Sequence, residues 1–427
     1  LPSDSLSGNV AGTVLILLVL AASVWLAVSS ARTAGGRFLF VTAVALRAAL
    51  SALSAFGVMF LADSDRLDFH NAAASLAQGA MSSADVSDGS LFYVRVLSGL
   101  YAVFGPSMLL GSVVALLAFA LSMHFLLKTS RLFGGNAESL LILAFGFSPA
   151  MLYFANYTYR EPLQILFVIL SVYNALMLRR TGSVWRLCAM TVCLGIFSLL
   201  HSAFFLISPV IFVATLFFKR SDGRRRSPSA RFAEILATLF IAAVSGVAFF
   251  NSFSNIRVIQ VAMEGNVVNT IYNAKYLMIQ LGARTVLPVQ LESSSLAELI
   301  WKSPLMVIQF MFAPIIPWIV GAAQDLLAVL DTALRSAFLF AAIRQVRMTR
   351  DARRSEMLFL LIIYAAFVLL GAMGTTTVGT AMRHQIKASW ILVLLGAPFL
   401  GRLFQTSSRI GLTGPSGSVL LHRPRKI

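Results

Sequence analysis

Charge is scarce in this 427-residue chain: Asp, Glu, Lys and Arg together make up 12% of it, while 58% is hydrophobic. A water-soluble globular domain carries about 25% charged and about 45–50% apolar residues, so the deficit excludes that class. Cysteine is scarcer still. Cys188 and Cys193, both inside one apolar run, are the only two, which excludes a disulfide framework and a thiolate metal site. There are five histidines. His124 and His201 stand without a second ligand at metal spacing, so each reads as a satisfied polar group. Gly35-Gly36 and Gly134-Gly135 are helix breakers, and the chain has no Gly-rich nucleotide loop. Acid is the minority charge: 17 Asp and Glu face 34 Lys and Arg, a formal net charge of +17. In a soluble protein that excess would point to nucleic acid. In a chain this apolar it is a topology signal, because basic residues collect in cytoplasmic loops, and no nucleic-acid partner is expected.

What the chain has in quantity is long apolar runs. They fall at about 9–29, 38–62, 107–127, 137–156, 162–178, 185–200, 202–218, 232–252, 323–343, 356–374 and 388–404, and about 20 apolar residues suffice for one crossing. The expectation is all-α: one polytopic transmembrane helix bundle over residues 1–427 with about eleven spans. Placing the segment with Arg32 and Arg37 in the cytoplasm puts Lys128 and Arg131, then Arg179, Arg180 and Arg186, then the run Lys219 to Arg231 on the same side. Arg344 to Arg354 and the tail from Arg402 to Lys426 follow. The N-terminus is then outside and the C-terminus inside. This count leaves out Pro304 to Gly321, whose Pro304, Pro314 and Pro317 are expected to interrupt a helix, and treats it as an interfacial or re-entrant piece. Two sizeable segments remain on the outer face, 63–106 and 253–322. The inward loops, basic and nearly free of acid, suit orientation and contact with anionic lipid.

Three outer features carry reactive side chains. The first, Asp63-Ser-Asp65-Arg66-Leu-Asp68-Phe69-His70, has helical spacing with Asp65 and Asp68 within one turn, so that either could act as a general base. The same acids could equally cap a helix. The second is Tyr157-Thr-Tyr159-Arg160-Glu161-Pro162, a tight polar turn with proline at a helix start. Arg160 and Glu161, as neighbours, point at different partners. A guanidinium there suits phosphate because its planar fork pairs with phosphate oxygens, or it anchors the interface between tyrosines. The third runs from Thr375 to Lys387 and places Arg383, His384 and Lys387 on a short outer loop entering the last span. Arg383 and Lys387 lie one helical turn apart, on the side where cations are disfavoured, and so need a reason other than topology. Within the spans, Arg47 needs an anionic partner or a wet cavity, and Asp331 and Arg335, at i and i+4, neutralise each other.

Carboxylates on one loop and arginines on others suit group transfer from a phosphorylated donor. The carboxylate removes a proton from an attacking hydroxyl, and the cations stabilise charge on the departing phosphate. On an extracytoplasmic face the donor must bring its own leaving group, most simply as a membrane lipid (di)phosphate.

The stretch Asp65-Arg-Leu-Asp-Phe-His-Asn-Ala-Ala resembles the acidic first-loop motif of GT-C-type membrane glycosyltransferases, with Phe69 where an aromatic is usual. Leu100 to Gly135 with Phe104-Gly105-Pro106-Ser107, Ser148-Pro149 through Arg160-Glu161-Pro162, Ala313-Pro-Ile-Ile-Pro317-Trp318, and Gly379 to Lys387 extend the likeness over about 63–178 and 304–404. Within that group the chain is similar to bacterial exopolysaccharide polymerases of the Wzy type. The resemblance implies joining of undecaprenyl-diphosphate-linked oligosaccharides on the periplasmic face of the inner membrane. No cofactor or metal is expected, and a flippase and chain-length or export proteins would be neighbours. By the same resemblance Asp65 matches the acidic first-loop position, with Asp63 and Asp68 competing for the base role, and Arg160, Glu161 and Arg383 match later polar ones. Arg257 and Arg284 are the nearest candidates for an arginine-rich outer-loop signature. His70, Arg47, His384 and Lys387 complete the expected substrate-binding set. The alternatives are a transferase using a polyprenyl monophosphate sugar, where the aspartates would bind a divalent cation, a flippase or transporter, for which no internal repeat is evident, and a noncatalytic assembly partner.

Overall fold

The computed structural model describes residues 4–56, 65–86, 90–135, 137–154, 157–201, 206–217, 267–280, 285–316, 318–322, 325–350 and 352–410. Over these residues the chain is helical, with one isolated bridge between Val286 and Thr377. In chain order the helices are α1 (Leu6–Ser30), α2 (Ala34–Ala55), α3 (Asp65–Ala77), α4 (Leu91–Phe104), α5 (Met108–Leu132), α6 (Glu138–Gly146), α7 (Pro149–Phe154) and α8 (Glu161–Thr181). They continue as α9 (Val184–Leu200), α10 (Ile207–Phe217), α11 (Val267–Gln280), α12 (Leu296–Phe312), α13 (Asp325–Met348), α14 (Ala352–Gly374) and α15 (Val378–Ile410). Among the described residues, seven helices are long and apolar enough to cross a membrane: α1, α2, α5, α8, α13, α14 and α15. The helix starts carry side-chain caps. Ser5, Thr33 and Ser107 accept from the N–H of Gly8, Gly36 and Leu110, satisfying donors that a helix start leaves open. Gly182 ends α8 in the left-handed conformation, φ 67°.

The architecture departs from the sequence expectation at three places. The run 137–156 is two helices, α6 and α7, broken at Ser148. Pro149 has no N–H to continue the ladder, and Ser148 Oγ accepts from the Met151 N–H at 3.3 Å, so the chain restarts with a cap. The run 185–200 is the 17-residue α9, 202–218 is described only over α10, and 232–252 lies outside the described residues. Pro304 does not interrupt its helix: α12 runs through it. Pro304 leaves the Ile300 carbonyl without its helical donor, and the Ser303 hydroxyl takes that carbonyl at 2.9 Å. Finally, α15 begins at Val378, ahead of the expected 388. Thr377 Oγ1 accepts from the Thr380 N–H, so Arg383, His384 and Lys387 lie on the first turns of a long helix instead of a loop.

Two polar ends close the bundle. At one, Arg131 donates to the Ser30 carbonyl, Glu138 takes the N–H of Arg32 and Thr33, and Arg402 donates to Gln345. There Arg180 binds Glu356 twice (Nε 3.0 Å, Nη2 2.6 Å) and the Leu132 carbonyl, tying α5, α8 and α14 together. At the other, Asp4 accepts from the Met108 N–H and approaches His70 at 3.5 Å, and His70 Nδ1 meets Tyr101 Oη at 2.9 Å. The N-terminus of α15 is held at that second end: Leu287 donates to the Thr376 carbonyl, Val378 to that of Thr285, and Lys275 Nζ to that of Thr375. Between the ends, Asp331 on α13 accepts from the Ala150 N–H and from Arg335 Nε, and Thr332 donates to the Ala313 carbonyl. One helical turn of α13 thereby holds the start of α7 and the end of α12.

Helix α1 packs closely on α5 because Gly8 and Gly12, four apart, leave room for backbone. A Cβ on Gly12 would lie 2.8 Å from the Leu110 nitrogen. Gly12→Leu is therefore expected to destabilise the α1–α5 contact by about 1–3 kcal/mol, as overpacking does. A lowered thermal midpoint in detergent checks this, and an unchanged midpoint would mean that α1 is docked differently.

Candidate functional site

The site is built at the second end, where α8 and α15 begin side by side. Tyr157, Thr158 and Tyr159 are buried in the turn before α8, and Pro162 in its first turn favours helix initiation there. This turn places Glu161, fully buried, against α15: Arg383 Nε meets Glu161 Oε1 at 2.5 Å. Arg383 also lies over the Tyr159 ring at 5.6 Å, a cation–π contact. One turn further along α15, buried Lys387 brings its Nζ to 3.3 Å from His384 Nδ1. Trp390 fixes that turn by donating its indole N–H to the Lys387 carbonyl at 3.0 Å.

Arg160 turns the other way, to Ser90 Oγ at 3.1 Å and over the Phe69 ring at 5.5 Å. Phe69 in turn stands edge-on to Tyr93, ring centroids 5.3 Å apart. The result is an aromatic wall beside a charged centre. Arg160, Arg383 and Lys387 all act on Glu161 electrostatically. Three cationic side chains thus converge on one largely buried place, an arrangement whose chemistry suits an anionic group.

Unpaired polar atoms sit around this centre. Among the described residues, Glu161 Oε2, Tyr93 Oη, Thr158 Oγ1 and Gln164 Oε1 are buried without a hydrogen-bond partner. Two are acceptors and two are hydroxyls, a set that suits a ligand rich in hydroxyl groups. His201, at the end of α9, faces His384, ring centroids 5.9 Å apart. Burial, then the charges of Arg160, Lys387 and Arg383, hold the His201 imidazole well below its usual range, so it is neutral at pH 7.

Of the residues singled out in the sequence, Arg160, Glu161, Arg383, His384 and Lys387 converge here. Asp68 does not join them: it is exposed on α3, next to buried Phe69 and His70. The backbone of Asp65 opens α3, while its side chain, like Asp63, Arg257 and Arg284, lies outside the described residues. His70 is turned toward Asp4 and Tyr101. Arg47 is buried far along α2 and stacks over Phe119 at 3.6 Å. It donates to the Ala43 carbonyl, and its Nε and Nη2 have no partner among the described residues. The anionic partner anticipated for Arg47 is thus replaced by a ring face and a carbonyl. Tyr93 and His201 were not legible as site residues. Tyr93 sits in an apolar stretch, and His201 gains meaning only from His384, a neighbour in space and not in sequence. Among the described residues no three His, Cys, Asp or Glu side chains converge as they would around a metal ion. No family model and no curated protein matches the chain.

Proposed function

We propose that the chain is a membrane glycosyltransferase that polymerises undecaprenyl-diphosphate-linked oligosaccharide repeat units. The observation that carries this reading is the convergence of Arg160, Arg383 and Lys387 on Glu161 beside buried hydroxyl and carbonyl groups that have no hydrogen-bond partner among the described residues. A diphosphate matches the convergent cations, and a glycan supplies partners for the polar atoms. The end of the bundle with Arg131, Arg180, Arg347 and Arg402 carries most of the cations. By the positive-inside rule it lies in the cytoplasm, which turns the Glu161 end to the periplasm of a bacterial inner membrane. There a donor has to carry its leaving group on a lipid. The likeness of the Asp65, Arg160-Glu161 and Gly379–Lys387 stretches to Wzy-type polymerases agrees in site and substrate class.

The test is to reconstitute the purified full chain in phospholipid vesicles with a synthetic undecaprenyl-diphosphate oligosaccharide and to resolve the products by size. A ladder of multiples is expected, unchanged by a chelator. Addition of a single sugar, lost on chelation, would replace this reading with transfer from a monophosphate donor through a bound cation. Translocation with no change in glycan length would replace it with a flippase, a function for which Arg47, buried within a span, would be the natural starting point.

A further inference from the structure

The end of α5, at the opposite pole of the bundle from Glu161, gathers arginines from three other elements. Leu132 is its last residue, and the N–H groups of Gly134 and Gly135 return to the Arg131 and Ser130 carbonyls as the chain turns away. Both glycines have positive φ, 107° and 62°, and leave the space beside the turn free of side chain. Guanidinium groups border that space. A Cβ built on Gly135 would lie 3.8 Å from Arg32 Nη1, and one built on Gly134 3.9 Å from Arg353 Nη1. Arg32 comes from the loop between α1 and α2 and Arg353 from the first turn of α14, so distant parts of the chain deliver cations to one two-residue turn.

Two more belong to the same place. Arg131 Nη2 donates to the Ser30 carbonyl, while its buried Nε has no hydrogen-bond partner among the described residues. Arg180 Nη2 donates to the Leu132 carbonyl at 2.8 Å. The carboxylates described at this end are engaged by other donors. Glu138 takes the backbone N–H of Arg32 and Thr33 and the Thr33 hydroxyl, and Glu356 takes two hydrogen bonds from Arg180. The side chains of Arg32 and Arg353 are exposed. Along the helices that lead to Arg32 the surface turns apolar: Trp25 and Val28 within two turns of the end of α1, and Phe38 within two turns of the start of α2, are exposed on segments that can cross a membrane.

We propose that Arg32, Arg131 and Arg353 form a headgroup site for an anionic phospholipid at the Gly134–Gly135 turn, its acyl chains lying along α1 and α2. Planar guanidinium forks match phosphate oxygens, and the bare turn lets a phosphate approach the chain. Cations above an apolar wall match the two halves of a phospholipid. A zwitterionic headgroup carries its own cation, which these arginines repel, so phosphatidylglycerol is preferred to phosphatidylcholine. A headgroup held here ties the α1–α2 loop, the end of α5 and the start of α14 together and so stabilises the packing of these spans. The site binds lipid whichever reaction the Glu161 end performs.

The experiment measures thermal unfolding of the full chain in bilayers of phosphatidylcholine, alone and mixed with phosphatidylglycerol. The wild type is expected to unfold about 3 °C higher when phosphatidylglycerol saturates the site. The double variant Arg32→Gln with Arg353→Gln should lose most of that shift and keep the wild-type midpoint in phosphatidylcholine alone. Each single variant, at an exposed side chain, should lose part of it, so the test stands even where the pair folds poorly. Arg344→Gln with Arg347→Gln removes as much charge from the end of α13 and should keep the shift. Equal wild-type midpoints in the two bilayers overturn the site. A shift lost equally in both double variants overturns it too, in favour of diffuse attraction to a charged surface. Inorganic phosphate that stabilises the detergent-solubilised chain as much as phosphatidylglycerol does overturns the lipid in favour of a free anion.

Discussion

On the proposed polymerase reading Arg383→Ala abolishes polymer formation, and it lowers the stability of the bundle by about 3–5 kcal/mol, the range found when one partner of a buried ion pair is removed. The cost comes from the partner left behind. Glu161 is fully buried, its Oε2 already lacks a hydrogen bond among the described residues, and without Arg383 its Oε1 loses the 2.5 Å contact as well. Arg160 and Lys387 soften the loss by remaining near, which places the expected value toward the lower end. In the proposed reaction activity falls for a separate reason, because the leaving diphosphate loses a fixed guanidinium. The double variant Glu161→Gln with Arg383→Met separates the two effects: it should regain most of the stability and none of the activity, since a buried pair replaced as a unit costs little. Thermal unfolding in detergent and polymer length are the two readouts. An active Arg383→Ala would remove this arginine from the site.

At the opposite end, Arg180→Ala should destabilise the protein by about 3 kcal/mol or more, whereas Glu356→Gln should cost far less. The asymmetry follows from exposure. The Glu356 side chain is 1% exposed and takes two hydrogen bonds from Arg180, so losing the arginine leaves a buried carboxylate without those bonds and with only the charge of neighbouring Arg179 to offset it. The Arg180 side chain is 28% exposed and keeps the Leu132 carbonyl, so it can turn its charge toward water or lipid headgroups once Glu356 is neutral. Equal losses in the two variants would show that the pair acts symmetrically and that this account of its environment is wrong.

The helical, membrane-crossing character of the chain was legible because it depends on composition over long windows. Where the helices start and stop was less so. A hydropathy window cannot see that Ser148 caps a restart, that the Ser303 hydroxyl replaces the helical donor lost at Pro304, or that Thr377 starts α15 early. In the site, Arg383 and Lys387 stood out as cations on the side where topology disfavours them, and Arg160 and Glu161 as a polar turn between spans. Their pairing did not, since Glu161 and Arg383 are 222 residues apart and nothing local links them. Asp68 drew notice as an acid in an acidic run, yet its direction is set by the neighbours that bury Phe69 and His70. Sequence shows which residue types are present and leaves their facing to packing.

The length of α15 sets the depth of these events. Arg383 and Arg402 are on one helix, 19 residues apart in number and so about 28 Å along its axis. That is close to the ~30 Å thickness of the hydrocarbon layer. When Arg402 sits at one boundary, Arg383 sits at the other, level with the phosphates of ordinary phospholipids. A prenyl carrier would meet the guanidinium without being lifted from the leaflet or drawn down into it. Its tail could stay dissolved among the acyl chains throughout, and the lengthening polymer would be fed straight out into water.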